Sequence, residues 1–154
     1  MTNYEFYITR AMSWCSRREL CTSEIQLRLK KLEVDDTSIK KIITKLIEEN
    51  FINEERFVRA YVNDKLKFQK WGIDKIKNTL YLKKISAEII KEVISGIDKS
   101  DYILRLTEMA KQKVKYIKAN SDFEREQKLL RFLASKGVSG EDAYKVLKNI
   151  KKLD

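Results

Sequence analysis

Residues 25–46 read IQLRLKKLEVDDTSIKKIITKL, and their apolar positions decide the fold class. Ile39, Ile42, Ile43, Leu46 and the following Ile47 recur at three- and four-residue steps, the spacing that lines one face of an α-helix. The same spacing returns at Ile89, Ile90, Val93, Ile94 and Ile97. No segment sustains the strict alternation of a half-buried strand. The chain has no Pro and only 4 Gly in 154 residues, whereas strand-rich domains need turn residues every few positions. It reads as all-α.

Start signals then divide the chain. Thr22 or Ser23 can cap a helix through Ile25, Leu29 and Leu32, and Asn53 precedes Glu54 and Glu55, acids that suit the positive end of a helix. Ser86 precedes another apolar run; Ser121 with Glu124, and more weakly Ser139 with Asp142, match the capping box. Gly72, Gly96 and Gly137 mark helix stops. The helices expected are 2–19, 23–33, 37–49, 54–69, 73–83, 87–95, 99–118, 122–136 and 141–151.

Shifting the sequence by 51 and then by 53 residues superposes it on itself. Ile25, Ile76 and Leu129 align, as do Leu29, Leu80 and Leu133, and Val34, Ile85 and Val138. Three more aliphatic trios follow: Ile42, Val93 and Val146; Ile43, Ile94 and Leu147; Leu46, Ile97 and Ile150. The chain is thus three tandem three-helix repeats, 1–52, 53–98 and 99–154. Such units bury little alone and cover their apolar faces by stacking, so an elongated, curved, solenoid-like body of right or left hand is expected.

Composition narrows the function. Lys and Arg number 33 against 23 Asp and Glu, a net charge of +10, and 36% of residues are charged. A chain of this length can bury about two-thirds of its unfolded surface. No apolar run approaches the ~18 residues of a membrane span, and the N-terminus lacks the apolar core of a secretory signal. Without His there is no Ser-His-Asp or Cys-His catalysis and no His-containing zinc site. Cys15 and Cys21 read as reduced thiols of a cytoplasmic protein, with a short-loop disulfide the minor alternative. The pairs Asp35–Asp36, Glu48–Glu49 and Glu54–Glu55 sit at helix ends, where capping explains them. No nucleophile, metal cluster or phosphate loop is visible. The protein is read as a non-enzyme without a cofactor.

The charge is uneven. Residues 1–50 carry 9 bases and 8 acids, residues 51–100 carry 11 and 7, and residues 101–154 carry 13 and 8. The densest stretch, 59–84, holds Arg59, Lys65, Lys67, Lys70, Lys75, Lys77, Lys83 and Lys84 against Asp64 and Asp74. Lys111, Lys113, Lys115 and Lys118 form a second run without an acid. Trp71 and Tyr81 interleave with the first cluster and Tyr116 with the second. A lysine face is often just solvated surface, but an excess this concentrated attracts polyanions through phosphate contact and counterion release. Nucleic acid or a nucleoprotein surface is favoured over an acidic protein partner. Phe6, Phe51, Phe57, Phe123 and Phe132 are expected in the core, and Trp14 and Cys15 as packing residues. Trp71 either caps the core from a turn or offers a stacking face. A base-reading helix-turn-helix is disfavoured, because SIKKIITKLIEEN (38–50) offers few base-reading donors.

Residues 46–94, LIEENFINEERFVRAYVNDKLKFQKWGIDKIKNTLYLKKISAEIIKEVI, resemble the central part of the RecX family, regulators of the RecA recombinase. The matching marks are Glu54-Glu55-Arg56-Phe57, Tyr61-Val62, Lys70-Trp71-Gly72, and Ile76, Leu80, Lys83, Lys84 and Ile85. CSRRELCTSEIQLRL (15–29) and the Lys-Gly-Val turn in KLLRFLASKGVSGEDAYKVL (128–147) extend the resemblance over essentially the whole chain. Two departures stand out. The family's turn Gly is Glu33 in the first repeat and Lys84 in the second, so those turns must close without a residue at ease at positive φ. The middle basic run is mostly Lys where the family often has Arg, which removes the bidentate phosphate fork.

The resemblance implies binding to the RecA–single-stranded DNA filament along its helical groove, and its inhibition or destabilisation. Double-stranded DNA is a further expected partner, and an end-to-end repeat with polar terminal helices suits a monomer. The expected contact surface is Lys65, Lys67, Lys70, Lys75, Lys77, Lys83 and Lys84. Arg17, Arg18, Arg28, Lys111, Lys113, Lys115 and Lys118 are secondary, and Trp71 is a stacking or partner contact. The alternative is a general nucleic-acid-binding helical module with no recombinase partner.

Overall fold

The computed structural model describes residues 3–152. Among them lie nine helices and no strand: α1 (Asn3–Arg17), α2 (Thr22–Lys31), α3 (Asp36–Glu48), α4 (Glu54–Lys67), α5 (Ile73–Leu82), α6 (Ala87–Ser95), α7 (Lys99–Val114), α8 (Asp122–Ser135) and α9 (Gly140–Lys152). The all-α reading holds, and most helix ends fall within two residues of expectation. The exception is α7, which stops at Val114 rather than at residue 118. The expected first helical residue, Thr2, lies outside the described residues, as do the outermost residues of the first and third repeats.

The caps explain the agreement. Asn53 Oδ1 accepts from Arg56 N at 2.9 Å, and Ser86, Ser121 and Ser139 accept from the N–H three residues on. Each satisfies a donor that the first helical turn leaves without a partner. At α2 the flanking residue is Cys21 rather than Thr22 or Ser23, and its N–H donates to Glu24. At α9 the Asp142 carboxylate pairs with Lys99 at 2.8 Å.

The repeat is imprinted most clearly in the turn after each second helix. Val34 N donates to Leu29 O, Ile85 N to Leu80 O, and Val138 N to Leu133 O, at 3.1, 3.3 and 3.0 Å. These six residues form two of the aliphatic trios, and all are buried. The residue before each donor is left-handed: Glu33 and Lys84 at φ 62° and Gly137 at φ 88°. This is the Schellman closure, with its apolar pair bridging the turn. Two turns therefore hold a non-glycine in a conformation that crowds Cβ against the following carbonyl. Glu33→Gly and Lys84→Gly are each expected to raise the unfolding free energy by about 0.5–1 kcal/mol, read as a higher urea midpoint at unchanged m-value; a lower midpoint would contradict the assignment.

The chain forms two compact units. Of the described residues, the first contains those up to 61 together with 80–91. Its core joins Ile8 and Ala11 of α1, Ile25 and Leu29 of α2, and Ile39, Ile42 and Leu46 of α3, with Tyr7, Met12, Trp14 and Cys15 packed at the margin. Here the start of α2 meets the turn after α5: Ser23 Oγ donates to Lys83 O at 2.6 Å, and Lys83 Nζ pairs with Glu24 at 3.1 Å. Burial works to raise the Glu24 pKa, but the Cys21 N–H and Lys83 outweigh it and hold the carboxylate below its usual range. Both cysteines are free, and burial raises both thiol pKa values, so they pack as thiols.

Of the described residues, the second unit contains 62–79 and those from 92 onward. Its core joins Tyr102, Leu106 and Ala110 of α7, Leu129 and Leu133 of α8, and Val146 and Leu147 of α9. The same kind of junction recurs. Gly72 N donates to Lys136 O at 2.6 Å and Asp74 N to Gly137 O at 3.0 Å, so the start of α5 lies against the turn after α8. Gly72 was expected to stop a helix; instead Lys70, at φ 56°, turns the chain after α4, and Gly72 provides the close backbone approach.

Tyr102 completes this junction by accepting from Ile73 N at 2.9 Å, and burial pushes its phenol up to about 12. In the unfolded chain that group titrates at about 10, so the folded state holds its proton more tightly and loses stability as pH rises from there to about 12. Tyr102→Phe is expected to cost about 1–2 kcal/mol by leaving Ile73 N without its partner, and to remove that alkaline component in urea melts taken across the window. An unchanged alkaline slope would reject this role for Tyr102.

Candidate nucleic-acid interface

Trp71 organises the middle cluster. Its backbone N–H donates to Lys65 O at 3.0 Å, which folds the segment after α4 back along the helix. Its ring then lies near two ammonium groups, Lys65 Nζ at 4.7 Å and Lys75 Nζ at 4.4 Å from the ring centre. A cation over an indole contributes roughly 0.5–1 kcal/mol where exposed and more where water is excluded. Lys65 also lies 3.7 Å from Asp64. Trp71 is half-buried and engaged by lysines from both sides of it in sequence.

Beside it, Lys67, Lys70 and Trp71 line a cavity of about 110 Å³ with Leu66, Tyr102 and Arg105. Arg105 is held by Asp101 at 2.7 Å. Sequence reasoning missed Tyr102 and Arg105 at this place. The four-residue spacing of Asp101 and Arg105 was the available signal, since such pairs share a helix face.

Within the second unit, Lys65, Lys67, Lys70 and Lys75 thus gather around Trp71 and its cavity, with half-buried Lys77 further along α5. Lys83 and Lys84 belong to the first unit. Lys83 is occupied internally, paired with Glu24 and 5.9 Å from the Tyr61 ring centre, and Lys84 is exposed at its left-handed turn. Arg17 and Arg18 are exposed near the end of α1, while Arg28 lies over Trp14 at 5.3 Å. In the third repeat, Lys111 lies 3.5 Å from Glu108 and Lys113 covers the Phe132 ring at 4.9 Å. Lys115 and Lys118 are exposed beyond the end of α7.

The aromatic expectations divide. Phe57 is buried, and Phe51 and Phe132 pack at core margins. Phe6 and Phe123 are corrections: they are 47% and 71% exposed, because each lies on the outer face of its helix's first turns. Among the described residues, no three His, Cys, Asp or Glu side chains converge as a metal site, and no helix is long and apolar enough to cross a membrane.

Residues 53–94 match the family model for the second three-helix domain of RecX, and residues 101–147 match the model for its third. The chain belongs to the RecX family. The Regulatory protein RecX of Clostridium beijerinckii is 35% identical over 133 residues, covering 85% of this chain and 62% of that protein. A Clostridium botulinum RecX is 37% identical over 120 residues, covering 77% of this chain and 54% of that one. This RecX-family chain therefore spans between half and two-thirds of the length of those curated relatives. The crystal structure of RecX from Lactobacillus salivarius superposes with a TM-score of 0.85 at 20% identity, covering 96% of each chain. At that identity the likeness establishes the shared helical-repeat fold.

Proposed function

We propose that this RecX-family protein binds the RecA–single-stranded DNA filament and inhibits or destabilises it, lowering recombinase, ATPase and co-protease activity in DNA repair and the SOS response. The observation that carries the reading is the lysine group around Trp71, within the segment matching the second RecX domain. A filament presents DNA phosphates beside protein, and ammonium groups held at fixed positions suit such a polyanion. Catalysis and a cofactor play no part in this reading. The protein acts as a cytoplasmic monomer, with double-stranded DNA a further ligand.

The test is ATP hydrolysis by RecA on single-stranded DNA with and without the protein. Hydrolysis should fall as the protein is added, and an unchanged rate at several-fold excess would sink the reading. The basic excess alone supports a second reading, a general nucleic-acid-binding module. That reading requires strongly salt-dependent affinity for bare DNA with no effect specific to the recombinase.

A further inference from the structure

The connection between α7 and α8, residues 115–121, carries a feature that phosphate attraction leaves unexplained. Tyr116 is 80% exposed, and Phe123, at the start of α8, is 71% exposed. The connection between them is irregular but held. Ile117 packs against the core of the second unit, Lys118 O accepts from Lys128 Nζ at 2.5 Å, and Asn120 N donates to Glu124 at 2.9 Å. With Ile117 turned inward, its neighbour Tyr116 is presented to water on a fixed backbone.

The surrounding charge selects the ligand. The acids of the first turns of α8 are answered locally: Asp122 by Arg125 at 3.0 Å, Glu124 by Lys128 at 3.2 Å, and Glu126 by Lys151 at 2.8 Å. Among the described residues, Lys115 and Lys118 have no ion-pair partner, which leaves residues 115–121 net positive. An apolar protein surface would have to strip water from these lysines without compensation. A single nucleic-acid strand supplies both phosphates for the ammonium groups and π-faces for the rings.

We propose that Tyr116 and Phe123 are stacking platforms for unpaired bases of single-stranded nucleic acid, with Lys115 and Lys118 holding the adjacent phosphates. This deepens the filament reading by naming a site for the strand, yet it requires no recombinase. Stacking tolerates any base, because every base has a π-face, so the site favours single strands over duplex without reading sequence.

The test uses the full chain with no recombinase present. Fluorescence anisotropy compares a labelled oligothymidine with an abasic oligomer of equal length and charge. The oligothymidine should bind at least roughly five-fold more tightly, the lower limit expected for one stacked base. Tyr116→Ala and Phe123→Ala should each shrink that preference and leave abasic binding unchanged. Tyr116→Phe should retain it, since the ring and not the hydroxyl is used. Both side chains are exposed, so thermal melts of the variants should match wild type.

Equal affinity for the two oligomers would overturn the proposal, as would an oligothymidine preference that both alanine variants retain. A role of these rings confined to a protein partner would give that same equality. The two readings separate cleanly. A preserved base preference beside an unaffected RecA ATPase removes the filament reading alone, whereas ATPase inhibition with no base preference removes this one alone.

Discussion

Gly137→Ala is expected to lower the unfolding free energy by about 3–5 kcal/mol, the sum of a core-scale clash and a strained left-handed residue. Gly137 sits at φ 88°, where an L side chain is disfavoured. A Cβ there would lie 2.6 Å from Lys75 N and 2.9 Å from Lys75 Cα, both backbone atoms that cannot rotate aside. The turn carrying it also accepts from Gly72 N and Asp74 N, so relief by separation would cost hydrogen bonds as well as packing. Gly72→Ala meets the same obstacle from the other side, because its Cβ would fall inside 3.0 Å of the Gly137 carbonyl group and Val138 N. One displacement of α5 from the turn relieves both clashes. The double variant should therefore lose distinctly less than the two single losses added together. Denaturant unfolding of the four proteins checks this, and simple additivity would show that the two glycines are not sharing one close approach.

The same junction shows why some features were legible in sequence and others were not. The aliphatic trios announce themselves, since a repeat must bury the same face each time. Leu29, Leu80 and Leu133 are all fully buried. The left-handed position was legible as a register, because Glu33, Lys84 and Gly137 align. Positive φ at Glu33 and Lys84 was signalled only by the turn Gly that the family carries there, since neither residue type favours it. Hydrogen bonds and the apolar pair across each turn override the local preference there. Gly72 misled because glycine also serves where two backbones nearly touch, a property of tertiary approach rather than of local sequence.

The candidate site was legible as charge and only partly as geometry. The excess of lysine over 59–84 is countable, but Lys83 turns inward to Glu24, fifty-nine residues away in sequence. No local pattern reports such a pairing. Trp71 was ambiguous for a related reason: its two cation neighbours become visible only when Lys70 reverses the chain. The early end of α7 was hidden because Lys111–Lys118 continues a helix-compatible composition. Ile117 can be packed from an irregular connection as well as from a helix. That misreading placed Tyr116 on a helix rather than on an exposed connection.

Replacing Lys65, Lys67 and Lys70 together by Glu is expected to weaken RecA ATPase inhibition at least about ten-fold, if these groups meet phosphate or acidic protein as proposed. For bare single strands, losing three phosphate contacts should reduce the slope of log affinity against log salt by about 2, at about 0.7 per contact. The net charge would fall from +10 to +4, since each reversal changes it by two (10 − 6 = 4). A lower net charge weakens attraction wherever it is made, so the effect needs a matched control. Lys40→Glu, Lys41→Glu and Lys45→Glu on α3 produce the same change in the nearly neutral first repeat. If the lysines around Trp71 make the contact, the α3 variant should inhibit close to wild type while the α4-side variant does not. Equal losses in both would mean that the protein's overall field supplies the attraction, and would overturn the assignment of this cluster. Matching thermal melts are required of both, because Lys65 also braces Trp71. Should the Lys65-containing triple melt early, Lys67→Glu with Lys70→Glu keeps the ring's two cations and still reverses two charges beside the cavity. That double variant should show a reduced form of the same selective loss, with the slope change falling to about 1.4.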